Sequence, residues 1–212
     1  MKFKAIIFDM DGTLIDSLGV WAESDRIFLK ELGYEYTPSV SEAMKTMHYV
    51  SACEYLRNFY NINMSTEEIG ARIMDIVKDR YVHNVPLKEG VYDFMLKQQA
   101  AGVKMCVATS NDKSLAEAAL KSLKVYDMLE FVITSDEVGC GKESPLIFEK
   151  AAEMLGAKPE NTAVFEDSVH AAQSAYKAGF YTVGVYEENF SGEFEKLKSC
   201  THRTVEGFKE LL

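Results

Sequence analysis

Asp9 and Asp11 are separated by one residue, at the end of the short apolar run Phe3-Lys4-Ala5-Ile6-Ile7-Phe8. In an extended segment residues i and i+2 share a face, so both carboxylates can reach one site. Gly12 follows, and glycine lets the chain turn sharply and lets backbone approach a ligand closely. Two acidic groups this close repel one another unless a cation stands between them. Further groups of a suitable kind are Thr109-Ser110-Asn111, Lys142 after Gly141, and Glu166-Asp167-Ser168. Mg²⁺ is a hard ion that takes oxygen ligands and usually keeps waters beside one or two carboxylates and a substrate phosphate. Asp9 and Asp167 are the expected side-chain ligands.

These residues can meet only if the fold carries them to one edge. Five short runs rich in β-branched or aromatic residues are expected strands: the run at Phe3 to Phe8, then Val103 to Ala108, Phe131 to Thr134, Thr162 to Phe165, and Tyr181 to Val185. Between them Val91 to Ala101, Lys113 to Leu123, Pro145 to Leu155 and Val169 to Ala178 have helical patterns. Gly102, Gly156 and Gly179 fall just past three of these helices, where a left-handed cap favours glycine. Ser144 before Pro145 reads as an N-cap followed by proline at the first helical position. The alternation predicts an α/β fold, a Rossmann-like parallel sheet with helices on both faces. Ligands of such sheets bind beyond the carboxyl ends of the strands, which is where all four groups would gather.

One block departs from the alternation. From Ser17 to Asn84 the pattern is helical, with apolar stripes at Trp21, Ile27, Phe28 and Leu32, at Cys53, Leu56, Phe59 and Tyr60, and at Ile69, Ile73, Ile76, Val77 and Tyr81. The expected organisation is a core of residues 1–16 and 86–212 with a small all-helical domain, 17–85, inserted after the first strand. Val85-Pro86 would be the return hinge.

Each group has an ordinary reading on its own. The Asp9-Met10-Asp11-Gly12 segment could be a turn or a calcium-type loop. Thr109-Ser110-Asn111 could cap a helix, Lys142 could be a solvated charge, and Glu166-Asp167-Ser168 could cap the next helix. Their convergence on one sheet edge favours a single chemistry.

The 212 residues carry a formal net charge of −10. That charge opposes binding to nucleic acid or to an anionic membrane surface. An anionic ligand would need a local reversal of the field, which a divalent cation and a placed lysine supply. Cys53, Cys106, Cys140 and Cys200 are scattered without a CxxC pair and read as reduced thiols of a cytoplasmic protein. No segment is long and apolar enough to predict a membrane span. No feature demands a dimer interface, so a monomer is plausible.

FDMDGTLIDS, VATSN, the lysine of GKESPLIF, and VFEDS running into HAAQSAYKAGF resemble the four motifs of the haloacid dehalogenase superfamily of phosphohydrolases. The helical insert resembles that of the subfamily containing phosphoglycolate phosphatase and β-phosphoglucomutase. The resemblance implies a small phosphate ester as substrate and Mg²⁺ as cofactor. It implies that Asp9 attacks phosphorus and that Asp11 acts as general acid and then base, its carbonyl also binding the metal. Thr109, Ser110 and Asn111 would bind the phosphoryl group, and Lys142 would neutralise charge. Asp167 would ligate the metal, with Glu166 behind it. The insert would be a cap that chooses the leaving group, with Trp21 and His48 as candidates.

Departures narrow the reading. The family's KPxPD stretch is here Lys142-Glu143-Ser144-Pro145-Leu146. Sugar-phosphate mutases usually carry His where Trp21 stands and an arginine near residues 47–51, which this chain lacks. Asp11 argues against dehalogenation and phosphonate hydrolysis. A phosphatase is expected ahead of a β-phosphoglucomutase-type phosphomutase or a catalytically silent binding protein.

Overall fold

The computed structural model describes residues 3–44, 47 and 49–212; His48 lies outside the described residues. In chain order the elements are β1 (Ala5–Phe8), α1 (Val20–Glu31), α2 (Pro38–Met44), α3 (Tyr49–Tyr60), α4 (Thr66–His83), α5 (Val91–Ala100), β2 (Lys104–Thr109), α6 (Lys113–Ser122), β3 (Phe131–Thr134), α7 (Ser135–Val138), α8 (Leu146–Leu155), β4 (Thr162–Glu166), α9 (Val169–Lys177), β5 (Tyr181–Val185), α10 (Phe194–Ser199) and β6 (Arg203–Val205). Among the described residues no helix is long and apolar enough to cross a membrane.

The chain divides into two compact units, Met1–Leu18 with Val85–Leu212, and Gly19–Asn84. The crossings lie at Leu18/Gly19 and Asn84/Val85, against 16/17 and 85/86 read from the pattern.

In the first unit six parallel strands form one sheet in the order β3-β2-β1-β4-β5-β6. Every residue of β1 is buried, which is why its sequence is apolar on both faces rather than alternating. Ala5 and Ile7 pack with Phe148, Ala171, Ala175 and Phe180, in a core shared with α8 and α9. Phe8 points to the other face, where it meets Phe94, Phe165 and Phe208; the last two rings stack at 5.5 Å. Burying each such ring contributes roughly 1.5–3 kcal/mol. Gly102, Gly156 and Gly179 all take the left-handed conformation past their helices. Helix α8 begins at Leu146, one residue later than read, with Pro145 at the N-cap; Ser144 Oγ accepts from the Leu146 N–H at 3.4 Å.

The second unit is helical, with no strand among its described residues. α4 opens with a capping box, in which the Ser65 hydroxyl accepts from the Glu68 N–H and the Glu68 carboxylate from the Ser65 N–H. It buries Ile69, Ile73, Ile76, Val77 and Tyr81, the stripe read from the sequence. The stripe on α1 is phased differently. Val20, Ser24, Phe28 and Leu29 are buried, while Trp21 and Leu32 are about two-fifths exposed (41% and 40%). The buried side follows Val20-Ser24-Phe28 at i+4 steps, and Trp21 instead meets the Tyr49 ring edge-on at 5.5 Å. Phe59 on α3 is also exposed, leaving Cys53 and Leu56 as that helix's buried pair.

Candidate active site

Sheet order and register build the site. β1 is central, with β2 on one side and β4 on the other, and Phe8 is level with Val107 and Phe165. The Asp9 N–H continues the ladder to the Phe165 carbonyl at 2.9 Å. Asp9, Thr109 and Glu166 therefore leave the sheet at the same edge.

Asp9, Lys142, Glu166 and Asp167 are all buried. The Lys142 ammonium donates to Asp9 Oδ1 and, at 2.7 Å, to Glu166 Oε1. Glu166 Oε2 accepts the Ser168 N–H at 3.1 Å, so both of its oxygens are engaged by protein donors. Asp167 Oδ1 accepts from the Thr13 hydroxyl at 3.3 Å. Asp9 Oδ2, by contrast, is buried with no hydrogen-bond partner. Such an orphaned oxygen is costly unless something fills its lone pairs. Oxygens of Asp9, Glu166 and Asp167 lie within 4.8 Å of one another, a grouping able to hold a metal ion. All are hard carboxylate donors, which suit a hard divalent cation.

Burial raises the Asp9 carboxyl well above its ordinary range; Lys142 opposes the rise, and the charges of Glu166, Asp167 and Asp11 reinforce it. Burial, with Glu166 beside it, also raises Asp167, to about 7. Burial alone would lower the Lys142 pKa, but Asp9 and Glu166 outweigh it and the pKa is raised. Three carboxylates around one ammonium leave an excess of negative charge that a cation would relieve.

Gly12 closes the turn after Asp11 with φ +82°. A Cβ there would fall 2.4 Å from Asp167 Oδ2. Only glycine combines that left-handed backbone with this close approach of the first loop to Asp167.

Asp11 is not in the carboxylate trio that could hold a metal ion. Its Oδ1 accepts from the Ser17 hydroxyl at 2.6 Å and its Oδ2 from the Asn111 amide at 3.3 Å. A cavity of about 300 Å³ is lined by residues including Asp9, Asp11, Ser110, Lys142, Asp167 and His170. Thr109 is buried and is not among the lining residues; its Oγ1 accepts the Asn111 N–H at 3.0 Å. Ser110 pairs with Ser135 at 3.1 Å. The N-cap of α6 is Asp112, whose carboxylate accepts the Leu115 N–H, so the capping alternative for Thr109-Ser110-Asn111 falls to the next residue. Lys142 is likewise no solvated charge. Trp21 belongs to the helical unit.

Thr13, Ser17 and Ser174 were not picked out from the sequence. Thr13 and Ser17 stand inside the FDMDGTLIDS run, and hydroxyls so near two aspartates were the available signal. The Ser174 hydroxyl donates to the Lys142 carbonyl at 2.6 Å and steadies that loop. A hydroxyl on a helix 32 residues away leaves no such trace.

The family model for haloacid dehalogenase-like hydrolases matches residues 6–185. Among curated proteins, the chain is 27% identical over 184 residues to validoxylamine A 7'-phosphate phosphatase of Streptomyces hygroscopicus subsp. limoneus, covering 86% of this chain and 85% of that one. It is 27% identical over 176 residues to a phosphorylated carbohydrates phosphatase of Thermotoga maritima, with coverages of 83% and 82%. Among solved structures it resembles a Thermotoga maritima protein assigned as a β-phosphoglucomutase, with a TM-score of 0.88 and 25% identity, covering 99% of this chain and 100% of that one. With the family model spanning the sheet from β1 to β5, and the four motifs at its edge, this chain belongs to the haloacid dehalogenase-like hydrolases.

Proposed function

We propose that this chain is a Mg²⁺-dependent phosphatase acting on a small phosphate monoester, such as a sugar phosphate or a phosphoglycolate-like acid. The observation that carries the reading is the state of Asp9: one carboxylate oxygen takes the Lys142 ammonium, the other is buried and unpartnered, and Asp9 groups with Glu166 and Asp167 as a trio able to hold a metal ion. The named activities of the two phosphatase relatives support a phosphorylated carbohydrate as the substrate class.

In this reading an Asp9 carboxylate oxygen forms a bond to phosphorus as the ester P–O bond breaks. Asp11 gives its proton to the departing alkoxide oxygen. Water then attacks phosphorus, Asp11 takes a proton from it, and the P–O bond to Asp9 breaks, releasing inorganic phosphate and restoring the enzyme. Ser17 and Asn111 hold the Asp11 carboxylate in place for both transfers. Lys142 neutralises charge on Asp9 and the phosphoryl oxygens, and Ser110 and Asn111 bind the latter. Thr109 orients that loop through the Asn111 N–H. Asp9, Asp167 and the Asp11 carbonyl would hold Mg²⁺, with Glu166 fixing Lys142. The cation supplies charge stabilisation to the phosphoryl oxygens. Leaving-group choice is assigned to the helical unit, with Trp21 and His48 as the candidates to vary. Four free cysteines fit a reducing compartment, the cytoplasm.

A phosphate-release screen tests this over sugar phosphates, nucleoside monophosphates, phosphoglycolate and phosphorylated cofactors, with Mg²⁺ and with a chelator. Release that stops on chelation is expected. The half-saturating Mg²⁺ concentration should rise as pH falls below about 7, because protons then compete for Asp167. No release from any compound, or release indifferent to chelation, would sink the reading. Conversion of a sugar phosphate to its isomer without phosphate loss would mean a mutase.

A further inference from the structure

Lys88 was not singled out from the sequence, yet its side chain is among the most fully engaged near the site. Its ammonium donates to the Gly12 carbonyl at 2.6 Å, the Tyr186 carbonyl at 2.8 Å and Glu187 Oε2 at 2.7 Å. An ammonium has three donors, and each has an acceptor here. The Lys88 side chain is 18% exposed and that of Glu187 only 4%. Glu187 is itself fixed, its Oε1 accepting from the Asn189 N–H at 3.1 Å and from the Asn189 amide at 2.8 Å.

Three distant segments meet at this one charge: the loop after β1, the segment before α5, and the end of β5. The backbone beside Lys88 is paired as well, with the Lys88 N–H to the Leu14 carbonyl at 2.9 Å and the Asp16 N–H to the Pro86 carbonyl at 3.0 Å. The carbonyl it grips belongs to Gly12, the residue that lies directly against Asp167. A shift of that carbonyl changes the separation of the Asp9–Asp11 loop from Asp167.

We infer that Lys88, locked by Glu187, is a positioning residue that sets the spacing between the Asp9–Asp11 loop and Asp167, and through it the cation affinity of the site. The kinetic part of this inference rests on the phosphatase reading; the binding part rests on the site geometry alone.

The test compares wild type, Lys88→Met and Glu187→Gln by calorimetric titration with Mg²⁺, beside kcat and KM and the melting temperature of each. For Lys88→Met, Mg²⁺ affinity and kcat should each fall about 10- to 100-fold, as for other groups that orient metal ligands, with KM moving less than about threefold. Glu187→Gln leaves Lys88 in place without its charged partner and should show a smaller loss in the same direction, measured at a temperature where its melting curve shows it fully folded. Native Mg²⁺ affinity and kcat in Lys88→Met would overturn the inference. So would losses in Lys88→Met that track unfolding while Glu187→Gln matches wild type. A wild type that binds Mg²⁺ but releases no phosphate would sink the phosphatase reading alone, and the calorimetric comparison would still decide the role of Lys88.

Discussion

Asp9→Asn is expected to abolish turnover, by at least about 10⁴-fold in kcat, on the scale of losing the attacking group of a catalytic unit. The amide has nearly the shape of the carboxylate, so the sheet edge should fold as before. It cannot form the phosphoenzyme, and it gives Lys142 and the cation a neutral partner in place of a charge. Asp9 Oδ2 has no protein partner to lose, and Lys142, which loses the charge of Asp9, keeps Glu166 as its charged partner. Steady-state phosphate release together with far-UV circular dichroism checks both halves. Appreciable activity in a folded Asp9→Asn protein would remove Asp9 from the chemistry.

Lys142→Met should lower kcat by about 10²–10³-fold, the range seen when one group stabilising developing charge is removed. It should also destabilise the protein. Lys142 is the shared partner of Asp9 and Glu166, and removing one member of a buried ion pair costs about 3–5 kcal/mol when the rest stays charged. The pH dependence follows with a definite sign. Lys142 pulls the Asp9 pKa down against burial, so without it that pKa rises further. The nucleophile is then protonated over a wider range, and the acid limb of the pH–rate profile moves to higher pH. Saturating Mg²⁺ should recover part of the lost melting temperature by restoring positive charge at the carboxylates. A rate near wild type with an unmoved acid limb would make Lys142 a bystander.

Much of this site was legible because the groups that carry it end strands. β1 and β4 are wholly buried, and buried parallel strands read as short apolar runs whose ends are easily found. Asp9 and Glu166-Asp167 stand where those runs stop, and Thr109 stands where β2 stops. β6, by contrast, is three residues, Arg203–Val205, with only Val205 buried, too short and too polar to leave a period. The α1 stripe was misphased because Trp21 and Leu32 are apolar yet face outward, while the buried position between Val20 and Phe28 is a serine. Lys88 was invisible for a different reason. Its acceptors lie 76 and 98 residues away at Gly12 and Tyr186, and only the folded sheet brings them to one ammonium. Local pattern thus reveals which residues end a strand; it does not reveal which distant side chain grips the loop that follows.

The central claim is covalent transfer of a phosphoryl group to residue 9. The most direct measurement is to mix enzyme, Mg²⁺ and a hydrolysed substrate, quench within one turnover, reduce with borohydride, and map the peptides by mass spectrometry. Reduction converts an aspartyl phosphate to homoserine, so homoserine should appear at position 9 and be absent without substrate. Homoserine at position 11 or 167, or none at all during demonstrated turnover, would contradict the account.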